Sequence, residues 1–279
     1  MKSCVVTLIN DAYVKGAATT LYSILKNSPG FNSDFIILDW GELSEVNKTK
    51  LQKLYDKVIF KPIETKYYEK CVYDKTWREW TYNCNYRFDI FCLEEYDKVI
   101  FMDSDFLNLS SIMPLIEMNT DFAVVPGIAE YIPQYRGKNC FDAGLMVVGK
   151  KYLHSQVRDE LADLSLTPAP SSCLLTNNWA SDEPILNVYF EKHNKVLLDQ
   201  KYNFLTTLLK RDTLDKPNNY QFNGPKKPWV SDKITDCFND FMRNELFKTL
   251  GTAKALLLLN KLLKTYRFYM KHALDIIEL

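Results

Sequence analysis

Short apolar runs alternate, along the first half of the chain, with stretches whose apolar positions recur at intervals of three and four. Cys4–Leu8, Asp34–Leu38, Lys57–Phe60 and Lys98–Met102 read as strands. Between them, Lys15–Asn27, Ser44–Tyr55 and Cys84–Tyr96 carry helical spacing, with Ser44 placed to cap the second helix. Further strands are expected at Phe122–Val125 and Gly144–Val148. Ser165–Asn178, with two prolines among serines and asparagines, reads as a loop. Strands alternating with helices of this length predict βαβ units, hence an α/β fold with a mainly parallel sheet flanked by helices. Sheets of this kind bind ligands beyond the carboxyl ends of their strands.

The pattern changes near Ser231. Between Lys248 and Lys271 there are six basic residues and no acidic one. Lys254, Lys261, Lys264, Arg267 and Lys271 share a helical stripe, and Leu256–Leu259, Leu262, Leu263, Phe268 and Met270 cover the rest. Such a helix either packs its apolar face on the preceding domain or lies on an anionic membrane surface. Packing is favoured, because Gly251 allows the segment to fold back as a helical hairpin. The expected organisation is therefore one sheet-based domain over residues 1–230 and an amphipathic helical segment over 231–279.

Composition narrows the class. The 279 residues are 47% hydrophobic, enough for a substantial core, and 35 basic residues balance 35 acidic ones. No global charge draws the chain to nucleic acid. Seven cysteines without a C-x-x-C pair argue against a disulfide framework or zinc site. The N-terminus enters a strand without a charged and then apolar leader, and no apolar run approaches about 18 residues. A reduced, cytoplasmic protein is expected, peripheral at a membrane if the C-terminal helix lies on one.

The stretch KVIFMDSDFL at 98–107 is the first candidate for chemistry. An apolar strand delivers Asp103 and Asp105, two apart and so on one side of an extended chain. At about 4 Å two carboxylates repel by roughly 4 kcal/mol at an effective dielectric of about 20. A divalent cation with hard oxygen ligands would offset this; a polar turn with both side chains solvated is the plainer alternative.

Four separated stretches then line up with one family. TLINDAYVKGA (7–17), FMDSD (101–105), CFDAGLMVV (140–148) and QFNGPKKPW (221–229) resemble those of glycogenin-like family 8 glycosyltransferases, and SDEPILN (181–187) is a looser fifth match. The resemblance implies a GT-A fold, a Rossmann-like sheet that binds a nucleotide-sugar. It also implies retaining transfer of a hexose from a UDP-sugar, with glucose and galactose the leading candidates and Mn²⁺ (or Mg²⁺) as cofactor.

By that resemblance, Leu8 and Asn10 contact uridine, and Tyr13 stacks on uracil unless it only packs under the first helix. Asp103 and Asp105 hold the metal and Ser104 faces the ribose. Arg87 stands where relatives carry a phosphate-contacting lysine; a surface salt bridge is the alternative. Gly224 permits close approach to phosphate and Lys227 neutralises the leaving group. Gln221 replaces the histidine that completes the metal site in the family. Its carbonyl oxygen is a legitimate ligand, and loss of the third ligand to water is the other outcome. Neither His193 nor His154 sits where a substitute is expected. Asp142 and Glu183 replace the family's usual asparagine and glutamine at the donor sugar, with Asp182 beside them. Asp182 and Glu183 are the candidates for chemistry; helix capping and sugar hydrogen bonding without bond-making is the alternative. At a helix N-terminus beside a cationic site, Glu183 is expected to be ionised, which keeps a covalent double displacement open beside front-face departure.

The rival to an enzyme is a GT-A domain weakened at Gln221 that holds nucleotide-sugar without efficient turnover. A nucleotidyltransferase would need a glycine-rich phosphate loop near the N-terminus, which NDAYVKGA does not supply. Tyr202-Asn203-Phe204 matches an anchor that precedes a self-glucosylated tyrosine in some relatives, but the corresponding position here is Lys210, so self-glucosylation there is not supported. The expected partners are the UDP-sugar and a glycan, glycolipid or protein acceptor of unknown identity. A second copy of the chain, docked through the C-terminal helices, is a further candidate. Aromatic residues between Tyr67 and Tyr86, including Trp77 and Trp80, offer either a sugar-stacking wall or an ordinary cluster.

Overall fold

The computed structural model describes residues 1–69, 71, 79–127, 140–167, 182–205, 219–222, 226–231, 233–237, 248 and 251–278. A seven-stranded sheet is built from β1 (Ser3–Leu8), β2 (Asp34–Asp39), β3 (Val58–Pro62), β4 (Lys98–Met102), β6 (Phe122–Pro126), β7 (Phe141–Gly149) and β8 (Val196–Leu197). Its order is β3-β2-β1-β4-β7-β6-β8, with β7 antiparallel to both neighbours and the other pairings parallel. The mainly parallel α/β sheet is as expected from the alternating pattern.

Period-two alternation sorts side chains to the two faces. Cys4, Val6, Val99 and Phe101 join one apolar cluster with Tyr86, Phe88, Ile90, Phe91, Leu161, Ile185 and Leu186. Val5, Ile100 and Met102 join the other, against Ala17, Ala18, Leu21 and Ile24 of α1 (Val14–Asn27) and Leu51 and Leu54 of α2 (Glu45–Leu54). Ser44 caps α2 as expected, its backbone extended and its Oγ accepting from the Asn47 N–H at 3.4 Å.

One element departs from the sequence expectation. Cys84–Tyr96 is not an α-helix; successive 3₁₀ turns run over Glu79–Cys92. Their tighter period brings Phe88 and Phe91, three apart, into the same core cluster. The loop expected from Ser165 begins only as α4 (Ser155–Ser165) ends, and the rest of that stretch lies outside the described residues.

A second, three-stranded sheet, invisible in the pattern because its strands are so short, flanks the site. It orders β5 (Phe106–Asn108), β10 (Asn219–Gln221) and β9 (Phe204–Leu205) as β5-β10-β9. Leu107, Phe204, Tyr220 and Phe222 of this region share a core with Ala255, Leu259, Leu262, Leu263 and Tyr266 of α7 (Thr252–Ile277). The remaining short helices are α3 (Met113–Glu117), α5 (Asp182–Tyr189) and α6 (Ile234–Cys237). The C-terminal helix therefore packs, as favoured above. Full burial is worth roughly 1.5–3 kcal/mol for each large aliphatic side chain such as Leu259 or Leu263. Gly251 starts α7 at φ 76°; the hairpin partner expected before it lies outside the described residues.

Candidate active site

Strand β4 ends at Met102, and the Asp103 N–H donates to Gly144 O of β7 at 2.9 Å, extending the ladder by one residue. The next carbonyls are held from behind by α1. The Thr20 hydroxyl lies 3.0 Å from both Ser104 O and Phe106 O, a positioning role that nothing in the sequence singled out. Gly16 lets the helix come this close: a Cβ there would stand 2.6 Å from Ser104 O and from the Trp229 ring.

Register brings Gln221 to the aspartates. Its strand pairs antiparallel with β5, setting Gln221 opposite Phe106, and the Phe222 N–H donates to Asp105 O at 3.0 Å. The Gln221 Nε2 then donates to Asp103 Oδ2 at 2.7 Å. The fit is tight, since a Cβ on Gly144 would come within 2.5 Å of Gln221 Oε1.

Asp142 is aimed into the same space by an irregularity in β7. Val124 pairs with Met146 and Val125 with Asp142, so three residues of β7 bulge without partners on β6. Asp142 Oδ1 accepts from the Gly144 N–H at 2.8 Å and from Asn203 Nδ2 at 2.9 Å. Asn203, met above only as part of an acceptor-tyrosine anchor, thus orients a site carboxyl. Asn187 fastens α5 to the bulge by bonding both Phe141 N and Phe141 O, which leaves Glu183 Oε2 accepting from the Ala143 N–H at 3.3 Å.

Arg87 is no surface residue. Its guanidinium is buried, lies 2.9 Å from Asp103 Oδ1 and from Asp182 Oδ2, donates to Ala143 O at 2.9 Å, and rests 4.6 Å from the Phe101 ring centroid. Lys227 reaches Asp105 Oδ2 at 2.6 Å and Phe222 O at 3.1 Å. Trp229 clamps the N-terminal loop, donating from Nε1 to Ala12 O at 3.1 Å and meeting the Tyr13 ring edge-on at 5.7 Å. Tyr13 is only partly buried. Leu8 ends β1, and Asn10 caps the following turn while its Nδ2 donates to Glu42 Oε2 at 3.1 Å. The neighbouring Asp11, not picked out in the sequence, ties this loop to α2 by accepting from Ser44 N, Ser44 Oγ and Asn47 Nδ2.

Gly224, Trp77, Lys210 and Ser181 lie outside the described residues, as does the Trp80 side chain. His193 stacks on Tyr189 and His154 precedes α4, so neither joins the cluster.

Five carboxyls, Asp103, Asp105, Asp142, Asp182 and Glu183, thus face two described cations, Arg87 and Lys227. Burial pushes Asp103 up to about 7 despite Arg87, and the acidic neighbours add to the rise. Burial likewise raises Asp182, opposed by Arg87, and Asp142, opposed by its Gly144 hydrogen bond. Burial works against the Lys227 charge, but Asp105 outweighs it and holds the ammonium above its ordinary range. At Glu183 the environment works against the ionised form that was expected: burial, and then the Asp142 carboxylate, hold it well above the usual carboxylate range. The helix N-terminus is too weak to compensate for desolvation beside a like charge.

This raised Glu183 predicts a stability signature. A carboxyl whose folded pKa lies above its unfolded value favours folding while protonated and loses that contribution as pH rises through the folded pKa. Without added metal, Glu183→Gln should therefore gain stability relative to the parent as pH rises from the ordinary carboxylate range upward. Thermal melts across that range check it, and a constant difference would show that Glu183 titrates normally.

A mainly parallel sheet whose β4 leads into Asp-x-Asp, joined there by residues from β7, α5 and β10, fits a glycosyltransferase of the GT-A fold. The chain belongs to glycosyl transferase family 8, whose model matches residues 4–233. It is 25% identical over 209 residues to the glycosyltransferase GlyF of Streptococcus pneumoniae, an alignment covering 74% of this chain and 50% of that protein; this chain spans half the length of that relative. Its fold is similar to that of the galactosyltransferase LgtC, solved with donor and acceptor sugar analogs, at a TM-score of 0.64, 18% identity and coverage of 92% and 95% of the two chains. The bifunctional glycosyltransferase WbbM matches at 0.64 and 20% identity over 92% of this chain and 51% of its own.

Proposed function

We propose that the chain is a divalent-metal-dependent, retaining glycosyltransferase that moves a hexose, glucose or galactose, from a UDP-sugar to a hydroxyl acceptor. The observation that carries this is the convergence of Asp103, Asp105 and Gln221 at the end of β4 within an excess of buried carboxyls.

These residues fit a hard cation. Asp105 Oδ1 is buried without a hydrogen-bond partner, and a half-turn of the Gln221 amide presents its carbonyl where the NH₂ now stands. Asp103, Asp105 and Gln221 would hold the cation through two carboxylates and an amide oxygen, a donor set suited to Mn²⁺ or Mg²⁺. When bound, the cation supplies Lewis-acid stabilisation of the charge that develops on the departing diphosphate.

The protein's own groups do the rest. Lys227, which pairs with Asp105, would neutralise a phosphate, and Arg87, paired with Asp103, would add a buried counter-charge. Tyr13, Leu8 and Asn10 form the rim for uridine, Ser104 faces ribose, and Gly224 admits phosphate. Asp142, Asp182 and Glu183 orient the donor sugar. The proposed route is front-face departure, in which the leaving phosphate helps take the acceptor proton; the burial that raises Glu183 works against its use as a nucleophile.

UDP release from UDP-glucose and UDP-galactose, with and without Mn²⁺, tests the proposal. Tight UDP binding with no release from any UDP-hexose, across an acceptor panel, would instead mark a nucleotide-sugar-binding domain. Gln221→His should tighten Mn²⁺ binding, because an imidazole nitrogen suits manganese better than an amide oxygen. An unchanged Mn²⁺ dissociation constant by titration calorimetry would remove residue 221 from the ligand set.

A further inference from the structure

The outward face of α7 carries a line of residues that the catalytic reading does not use. Leu257, Lys261, Lys264, Phe268 and Lys271 follow one another at spacings of four, three, four and three, which is one straight stripe on a helix. The inward stripe, with Ala255, Leu259, Leu262, Tyr266, Ala273 and Ile277, is buried. Burial of that face leaves the outer one as the free surface of the helix.

That surface is unusual in two respects. Leu257 is 72% exposed and Phe268 60%, and between them runs an open groove of about 670 Å³ walled by Lys261, Lys264 and Thr265. Phe268 is also held in place: its ring meets His272 edge-on at 4.4 Å and Tyr269 at 5.8 Å. Tyr269 in turn accepts from Asn27 Nδ2 at 3.0 Å and meets Tyr22 of α1 at 6.0 Å. A large apolar ring, in contact with two aromatic neighbours, thus stands in water beside Lys264 and Lys271.

We infer that this outer face of α7 docks on an anionic lipid surface, with Leu257 and Phe268 inserted among the headgroups and Lys254, Lys261, Lys264 and Lys271 on their phosphates. Charge complementarity selects that occupant. No acidic residue falls between Lys248 and Lys271, so the stripe offers an anionic surface no negative charge of its own until Asp275. A second copy using the same patch would bring lysines against lysines, which disfavours a symmetric dimer. Long lysine side chains beside apolar anchors are also the composition of helices that lie in a membrane interface. No helix among the described residues is long and apolar enough to cross a membrane, so the contact is peripheral.

The buried side of the same helix reaches the site: Tyr266 stacks on Trp229, which holds the Ala12–Tyr13 loop. Docking would therefore set the nucleotide rim about one helix diameter, roughly 10–12 Å, from the lipid surface.

The full chain should co-sediment with vesicles of phosphatidylcholine and phosphatidylglycerol, remain in the supernatant with phosphatidylcholine alone, and be released by salt. Lys261→Glu with Lys264→Glu should weaken partitioning by at least about tenfold, and Leu257→Ser with Phe268→Ser should also weaken it. Both variants should keep the UDP affinity of the parent, which separates loss of docking from loss of fold. Equal partitioning on neutral and anionic vesicles, or parental partitioning of the charge-reversed variant, would overturn the inference. A lipid-free dimer by light scattering that the same substitutions dissolve would overturn it too, giving the face to a second copy. None of these readouts depends on turnover.

Discussion

Asp103→Asn is expected to abolish the dependence of UDP binding on divalent metal and to lower UDP release by roughly 10²–10³-fold, the cost of removing one group that stabilises developing charge. Both carboxylate oxygens of Asp103 are in use: Oδ1 faces Arg87 Nη2 at 2.9 Å and Oδ2 accepts from Gln221 Nε2 at 2.7 Å. An asparagine keeps the shape but must turn an NH₂ toward one of those two donors. It also removes one of the two charges that would hold the cation beside the phosphates. Titration calorimetry of UDP with and without Mn²⁺ is the direct check. A variant in which Mn²⁺ still enhances UDP binding as in the parent would disprove the metal assignment at Asp103.

Arg87→Met should be the most destabilising change at the site. The guanidinium is the shared buried partner of Asp103 and Asp182 and caps Ala143 O at the β7 bulge. Methionine fills similar volume against Phe101 but leaves buried carboxylates uncompensated, a loss of about 3–5 kcal/mol. For a domain of this size that lowers Tm by roughly 6–20 °C. The sign with pH follows from the same carboxyls. Without Arg87 their already raised pKa values rise further, so the variant's deficit should be largest at neutral pH and shrink as acid protonates Asp103 and Asp182. Arg87→Lys keeps the charge but not the fork that spans both partners, and should fall between. A Tm for Arg87→Met within a degree or two of the parent would show that Arg87 does not hold these carboxyls together.

Most of the sheet was legible from local pattern. Lys98–Met102 is bounded by the same residues in sequence and structure, and the other expected strands and first two helices shift by a few residues at most, β7 also taking in Phe141–Ala143. Apolar period and an N-cap serine are short-range signals, and they survive folding because the sheet buries both faces. The helical spacing of Cys84–Tyr96 stands for a 3₁₀ run over Glu79–Cys92, since periods of 3.0 and 3.6 differ too little over a few turns to separate in a sequence crowded with aromatics. Strands of two or three residues such as β9 and β10 carry no period at all.

The sequence by itself determined which chemical groups are available: Asp103 and Asp105 at a strand end, a glutamine at 221, acids at 142, 182 and 183, and a basic amphipathic helix at 252–277. Only the tertiary structure decided what each group experiences. Register against Phe106 sets Gln221 on Asp103, a bulge against Val125 turns Asp142 inward, and burial beside Asp142 raises Glu183 where its helix position suggested the opposite. Likewise the periodicity of α7 showed two faces, but packing against Phe222 and Trp229 chose which one faces water. The physical reason is common to all of these. Secondary structure answers to neighbours a few residues away, whereas desolvation, ion pairing and exposure answer to groups that only the folded chain brings together.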